Sequence, residues 1–261
     1  MKKSILLFIA FFFLETGCTT INGVGSKTTL LPGWDRVGHG LKKSVISPHT
    51  WAPIAGAAII TVGDWDKDIS DWATENTPLF GNVKNAGDWS DYLLDISEGI
   101  SYGTLLLTPG GDFPNEWFAN KGKLAITQYT TARLEGKLTA SIKKAAGRER
   151  PNQSNNHSFP SGHAADAGLY AGFSRFYINN MIISKAMKYT GGFVVSLADN
   201  GCSWARVEAG DHYPTDVLIG HALGNFLAVF VSETFIGNDS LILNSIGNNK
   251  DEFGIALNYR F

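Results

Sequence analysis

The chain has 261 residues, 44% of them hydrophobic, and a formal net charge of −2. That is enough apolar material for one large core. The near-neutral balance excludes a nucleic-acid binder, which needs a basic stripe to neutralise a phosphate backbone.

Residues 1–18 read as an export signal. Lys2 and Lys3 precede an unbroken apolar run from Ile5 to Leu14, with small residues at Thr16 and Gly17. The run is shorter than the roughly 20 residues of a spanning helix. Cys18 also fits a lipid anchor, although Glu15 stands where a lipobox has Leu and Leu14 lies one place further back. Both readings stay open, and both put the mature protein in the periplasm or on the periplasmic face of a membrane.

Residues 19–48, rich in Gly, Thr, Ser and Pro, read as a loosely structured tether. A short apolar helix follows from His49 to Val62 and belongs to the core. Between 64 and 99, Trp alternates with Asp64, Asp66, Asp68, Asp88, Asp91 and Asp95. The ligand spacing of a calcium loop is absent, so these acids read as helix caps and exposed faces, on helices 65–76 and 89–107.

A long helix is expected over 122–146, with Ile126, Leu134, Leu138 and Ile142 marking one broad apolar side. Two more follow, Ser161 to Tyr177 and Ser184 to Asp199. The last runs from Pro214, a favoured first helical position, to about Phe235, and is apolar nearly all round, as a central buried helix is. From Leu241 to Phe261 a polar turn at Asn248–Asp251 and strict alternation predict a β-hairpin. It reads as packed on the helical domain rather than as part of a membrane barrel. The fold class is therefore all-α, a helical bundle with a short C-terminal β-hairpin. Its parts are 1–18 (signal), 19–48 (tether), 49–236 (domain) and 237–261 (hairpin).

The chemistry concentrates between Lys143 and Asp216. Lys143, Lys144, Arg148 and Arg150 face only Glu149 in the local sequence. The guanidinium forks of Arg150 and Arg206 each offer two hydrogen bonds to anion oxygens, and Lys143 adds a point charge. Ser161 and Gly162 open a helix, whose free N–H groups and positive end suit the same anion. His163 and His212 can then transfer a proton and a group. Together these residues make a phosphate site.

Lys143 to Arg150-Pro151, then Pro160-Ser161-Gly162-His163, then Arg206, His212 and Asp216, resemble the three-part signature of the type 2 phosphatidic acid phosphatase family. That family shares its fold with vanadium haloperoxidases and bacterial class A acid phosphatases. One departure is Ala205, where the third block usually has Ser, and the gap between the first two blocks is short.

The resemblance implies that His212 attacks phosphorus and forms a phosphohistidine, while Asp216 accepts its other ring N–H. His163 protonates the leaving oxygen and later activates water. Lys143, Arg150, Ser161, Gly162 and Arg206 bind the phosphate. No metal or other cofactor is implied. The expected substrate is a phosphorylated lipid at a membrane surface, either a monoester or a pyrophosphate, with soluble phosphomonoesters next.

A vanadate-dependent haloperoxidase would use the same residues. A non-enzymatic scaffold is a further alternative, which loss of a histidine would support, and both are present. His39, His49 and His221 read as structural, Lys144 and Arg148 as solvated or substrate-rim charges rather than catalytic groups. His157 matches no motif position. Cys202 reads as a small buried hydrophobe.

Overall fold

The computed structural model describes residues 23–237. The helices are α1 (Trp34–Ile46), α2 (Pro48–Val62), α3 (Asp66–Asn76), α4 (Val83–Leu107), α5 (Asn115–Ala146), α6 (Gly162–Asn179), α7 (Lys185–Glu208) and α8 (Pro214–Val231), the last continued by a π-helical turn, Ser232–Ile236. Local signals set several ends. The Asn82 side chain accepts from Asn85 N at 2.8 Å to start α4, and Ser184 accepts from Met187 N at 3.2 Å to start α7. Pro48 and Pro214 occupy first helical positions. Gly147 closes α5 in the left-handed conformation, φ 56°.

The bundle is built on the crossing of α6 and α8. A Cβ on Gly168 would stand 2.6 Å from the His221 carbonyl oxygen, and one on Gly224 only 1.9 Å from that of Ala165. Glycine is therefore required at both, and the two backbones meet with nothing between them. Leu105, Leu124, Leu169, Phe173, Tyr177, Ala228 and Ile236 form the main apolar cluster around this crossing.

The all-α class holds among the described residues. The signal at 1–18 and the hairpin, apart from Gly237, lie outside them, as does Cys18. Residues 34–46, expected within a loose tether, instead form α1. Its Gly40 is pressed against Thr234 and the Phe230 carbonyl, a tertiary contact that local composition does not report. α7 runs nine residues past the expected end at Asp199, because buried Cys202, Ala205 and Val207 hold its last turns despite Gly201. Cys202 is a buried free thiol, as expected, donating to the Ser90 carbonyl at 3.3 Å.

The apolar side of α5 faces outward. Ile126 and Leu134 are 68% and 57% exposed, whereas Lys121, Gln128, Thr131, Glu135 and Thr139 are buried. Trp51, Ile54 and Ile59 of α2, a helix expected in the core, are exposed as well, as are Phe193 and Leu197 of α7. Among the described residues, by length and composition one helix, Pro214–Ile236, can cross a membrane, with 56% of its apolar window buried. α1 and α2, bent by 47° at their junction, pass the same test only as a pair.

Candidate active site

The three sequence blocks meet where the end of α5 and the start of α6 face the end of α7 and the start of α8. Two loops, 147–161 and 209–213, are tied together there. Asn152 N donates to the Gly210 carbonyl at 3.0 Å, and the Asn152 side chain to Asp211 at 3.1 Å. Asp211 also binds both guanidiniums, Arg150 at 3.0 Å and Arg206 at 2.8 Å. A second arm of Arg206 donates to Ser90 Oγ of α4 at 3.0 Å. One carboxylate thus sets two arginines side by side and leaves a surplus of positive charge for an anion.

Lys143 leaves the last turn of α5 and donates to the His157 carbonyl at 2.8 Å. Burial, followed by the charge of Arg150, lowers its pKa to about 8. Ser161 is fully buried and caps α6, its hydroxyl accepting from Ala164 N at 3.4 Å. Its own N–H donates to the Asp216 carbonyl at 3.0 Å, which fixes the start of α6 on the start of α8. Gly162 lies against Lys143, since a Cβ there would come within 3.9 Å of Lys143 Cε. The positive end of α6 therefore adds to the cation cluster.

His212 is 1% exposed, and its Nδ1 lies 2.6 Å from the Ser158 carbonyl oxygen. A carbonyl only accepts, so Nδ1 carries the hydrogen and Nε2 keeps its lone pair. Burial first, then Lys143, Arg206 and Arg150, drive the His212 pKa down to about 2, so the ring is neutral.

The expected pairing of His212 with Asp216 is corrected here, because the Asp216 carboxylate stands 4.0 Å from Nδ1. It accepts instead from Ser158 Oγ at 2.5 Å, Tyr213 N at 2.9 Å and Arg148 at 2.7 Å. The cause is local: in the first turn of α8 the carboxylate folds back onto Tyr213 N, as acids at helix starts do. Asp216 therefore holds Ser158, and Ser158 holds the ring.

Arg148 is no free surface charge. It bridges Asp216 and Asp66, at 2.7 and 2.5 Å, and stacks on Tyr213 with its guanidinium carbon 4.2 Å from the ring centre. Asp66 likewise departs from the cap reading, accepting from Thr215 N at 2.9 Å and so binding α3 to α8.

The His163 side chain is 32% exposed, its Nε2 2.8 Å from Asp91 of α4. Burial and then Arg206 lower its pKa, while Asp91 works the other way. Behind Lys143 sit Glu135 and Asp166, two carboxyls in mutual hydrogen bond, with Thr139 donating to Glu135 at 2.5 Å. Burial, first among the causes, raises the pKa of both.

All eight site residues anticipated from sequence thus belong to one constellation. The sequence reading missed Asp91, Ser158 and Asp211, and misjudged Arg148. Asp211 had a local signal, an acid directly before His212. Ser158 acts through its carbonyl and Asp91 comes from a distant helix, so neither left one.

A family model described as the PAP2 superfamily matches residues 124–238. A curated relative, a lipid A 1-phosphatase from Rhizobium etli, is 28% identical in an alignment covering 40% of this chain and 47% of that protein. The chain thus spans about half the length of the curated relative it matches. Among solved structures, a transmembrane PAP2-type phosphatidylglycerolphosphate phosphatase from Bacillus subtilis matches 73% of this chain and 94% of its own, with a TM-score of 0.51 and 22% identity. That likeness extends the shared fold beyond the three blocks. The residues that the PAP2 superfamily model matches, 124–238, carry all three blocks.

Proposed function

We propose that this protein is a phosphatase acting on a phosphorylated lipid at a membrane surface, through a phosphohistidine on His212 and without a metal ion. The observation that carries the reading is the His212 ring, held neutral with Nδ1 on the Ser158 carbonyl and Nε2 left over among Lys143, Arg150 and Arg206. Nε2 attacks phosphorus, forming the N–P bond as the P–O bond to the leaving group breaks. His163 gives its proton to the leaving oxygen. In the second step His163 takes a proton from water, whose oxygen displaces His212 and releases phosphate. The three fixed cations stabilise the charge on the phosphoryl oxygens throughout.

The lipid assignment rests on two supports. The outward apolar face of α5, with further exposed apolar side chains on α2 and α7, offers surface that water does not favour and a bilayer does. Both relatives above act on lipid phosphates by name. An exported position, with or without an anchor at Cys18, would place the site on the periplasmic side.

The test is phosphate release by the purified full chain from a panel of lipid phosphates and from para-nitrophenyl phosphate, in EDTA, beside His212→Ala. Release that survives EDTA and disappears in the variant supports the mechanism, and a preference for lipid esters supports the substrate class. Release that EDTA abolishes, or that the variant retains, overturns it. If the wild type is inert, vanadate-dependent bromide oxidation tests the haloperoxidase alternative.

A further inference from the structure

We infer that Asp91 selects the leaving group: its carboxylate stands where the leaving oxygen must meet His163, admitting an alcohol there and disfavouring a second phosphate. This rests on the phosphatase reading above and narrows its substrate to phosphomonoesters over pyrophosphates. The His163 Nε2–H has one direction of donation, and Asp91 Oδ1 occupies it at 2.8 Å. A leaving oxygen that takes the same proton comes to the same place, beside or in exchange with that carboxylate. Asp91 is 69% exposed on the α4 surface, so it is reached from outside.

The surroundings reinforce the polarity. Asp88 and Asp95 lie three residues before and four after Asp91, on one side of α4, and both are exposed. Lys84, the nearby cation of that helix, is already held by Asp88 at 2.6 Å. Arg206 turns its two terminal nitrogens to Asp211 and Ser90. The charged groups facing His163 are then Arg206 from α7, Asp166 from its own helix and Asp91 from α4. The transferred phosphoryl group meets Lys143, Arg150 and Arg206, while the leaving side meets carboxylates.

A monoester leaves as an alcohol, neutral once His163 has protonated it, and a hydroxyl-bearing alcohol gains a hydrogen-bond acceptor in Asp91. A pyrophosphate leaves as a phosphate that stays anionic after protonation, next to a like charge. The two substrates therefore differ in charge at the one place where Asp91 stands.

The experiment compares kcat/KM of the full chain for farnesyl phosphate and farnesyl diphosphate, which share one lipid tail, in wild type, Asp91→Asn and Asp91→Glu. Wild type is expected to prefer the monophosphate. Asp91→Asn should shift the ratio roughly tenfold or more towards the diphosphate, and Asp91→Glu should keep the wild-type preference. In Asp91→Asn the alkaline limb of the monophosphate profile should also move to lower pH, since the lost carboxylate favoured the His163 proton.

A wild type that prefers the diphosphate overturns the inference. So does an Asp91→Asn ratio within twofold of wild type, including equal loss on both substrates, which would make Asp91 a support for His163 and nothing more. These results leave the phosphatase reading standing. Absence of phosphate release from either substrate by the wild type overturns both.

Discussion

Two Arg–Asp–His clusters draw on α7 and α8, one through the loop that joins them and the other together with α6, and only one has the makings of an active site. At the end of the bundle Arg206 meets Asp211 at 2.8 Å and His212 lies 4.0 Å from Asp216. In the middle Arg175 meets Asp199 at 2.7 Å and His221 lies 4.0 Å from that same Asp199. The residue types and spacings match, so the difference lies elsewhere. At the end, Lys143 and Arg150 join Arg206, and a backbone carbonyl orients His212. In the interior one arginine answers one aspartate, His221 Nδ1 has no hydrogen-bond partner, and Asn225 closes the cluster by donating to Ser47 and Thr50 of the α1–α2 corner at 3.0 and 2.9 Å. An anion site needs surplus cations and an oriented lone pair. A balanced, enclosed pair holds helices together instead.

The sharpest way to break this comparison is to remove each histidine in turn. His212→Ala should lower kcat for phosphate release by about 10⁴-fold or more, as loss of a nucleophile does. His221→Ala should keep kcat within a few fold, since its ring lies in the enclosed cluster. Equal losses would show that the interior cluster also serves the chemistry.

The next effect is on stability. Arg175→Ala leaves Asp199 buried without its cation and should cost about 3–5 kcal/mol in denaturant unfolding. The folded fraction should keep near-normal kcat. The double change Arg175→Met with Asp199→Leu should recover most of the loss, because apolar residues of similar volume need no partner. A double variant as unstable as the single one would mean that the ion pair itself stabilises the crossing.

Asp216→Asn should have a smaller effect than His212→Ala. Its carboxylate holds Ser158 and Arg148 rather than the His212 ring, so the expected loss is about 10–100-fold, the scale of a displaced catalytic group. A loss as large as that of His212→Ala would instead indicate direct contact during turnover. This layer shows how much the sequence could reveal. Lys143, Arg150, Ser161, Gly162, His163, Arg206, His212 and Asp216 were legible because each block keeps its spacing along one segment. The Ser158 carbonyl was not, because any residue supplies a carbonyl. Asp91 was not, because its partner lies 72 residues away. The outward direction of the apolar side of α5 was not legible for a related reason. Periodicity locates a stripe, but it does not say whether the stripe meets a core or another apolar medium.

The smallest effect concerns Lys143 and separates it from the two arginines beside it. Burial first, and Arg150 second, bring its pKa to about 8, so the ammonium that favours an anion is present below that value and lost as pH rises through it. Inorganic phosphate is already a dianion there, so its inhibition constant isolates the lysine from His163, which acts on the leaving group. The wild-type constant should rise several-fold between about pH 7.5 and 9.5, a loss on the order of 1 kcal/mol for one partly screened charge. Lys143→Arg keeps its charge throughout and should give a flat profile over the same range. A flat wild-type profile, or an arginine variant that weakens in parallel, would mean that Lys143 serves the His157 carbonyl alone and that Arg150 and Arg206 hold the phosphate without it.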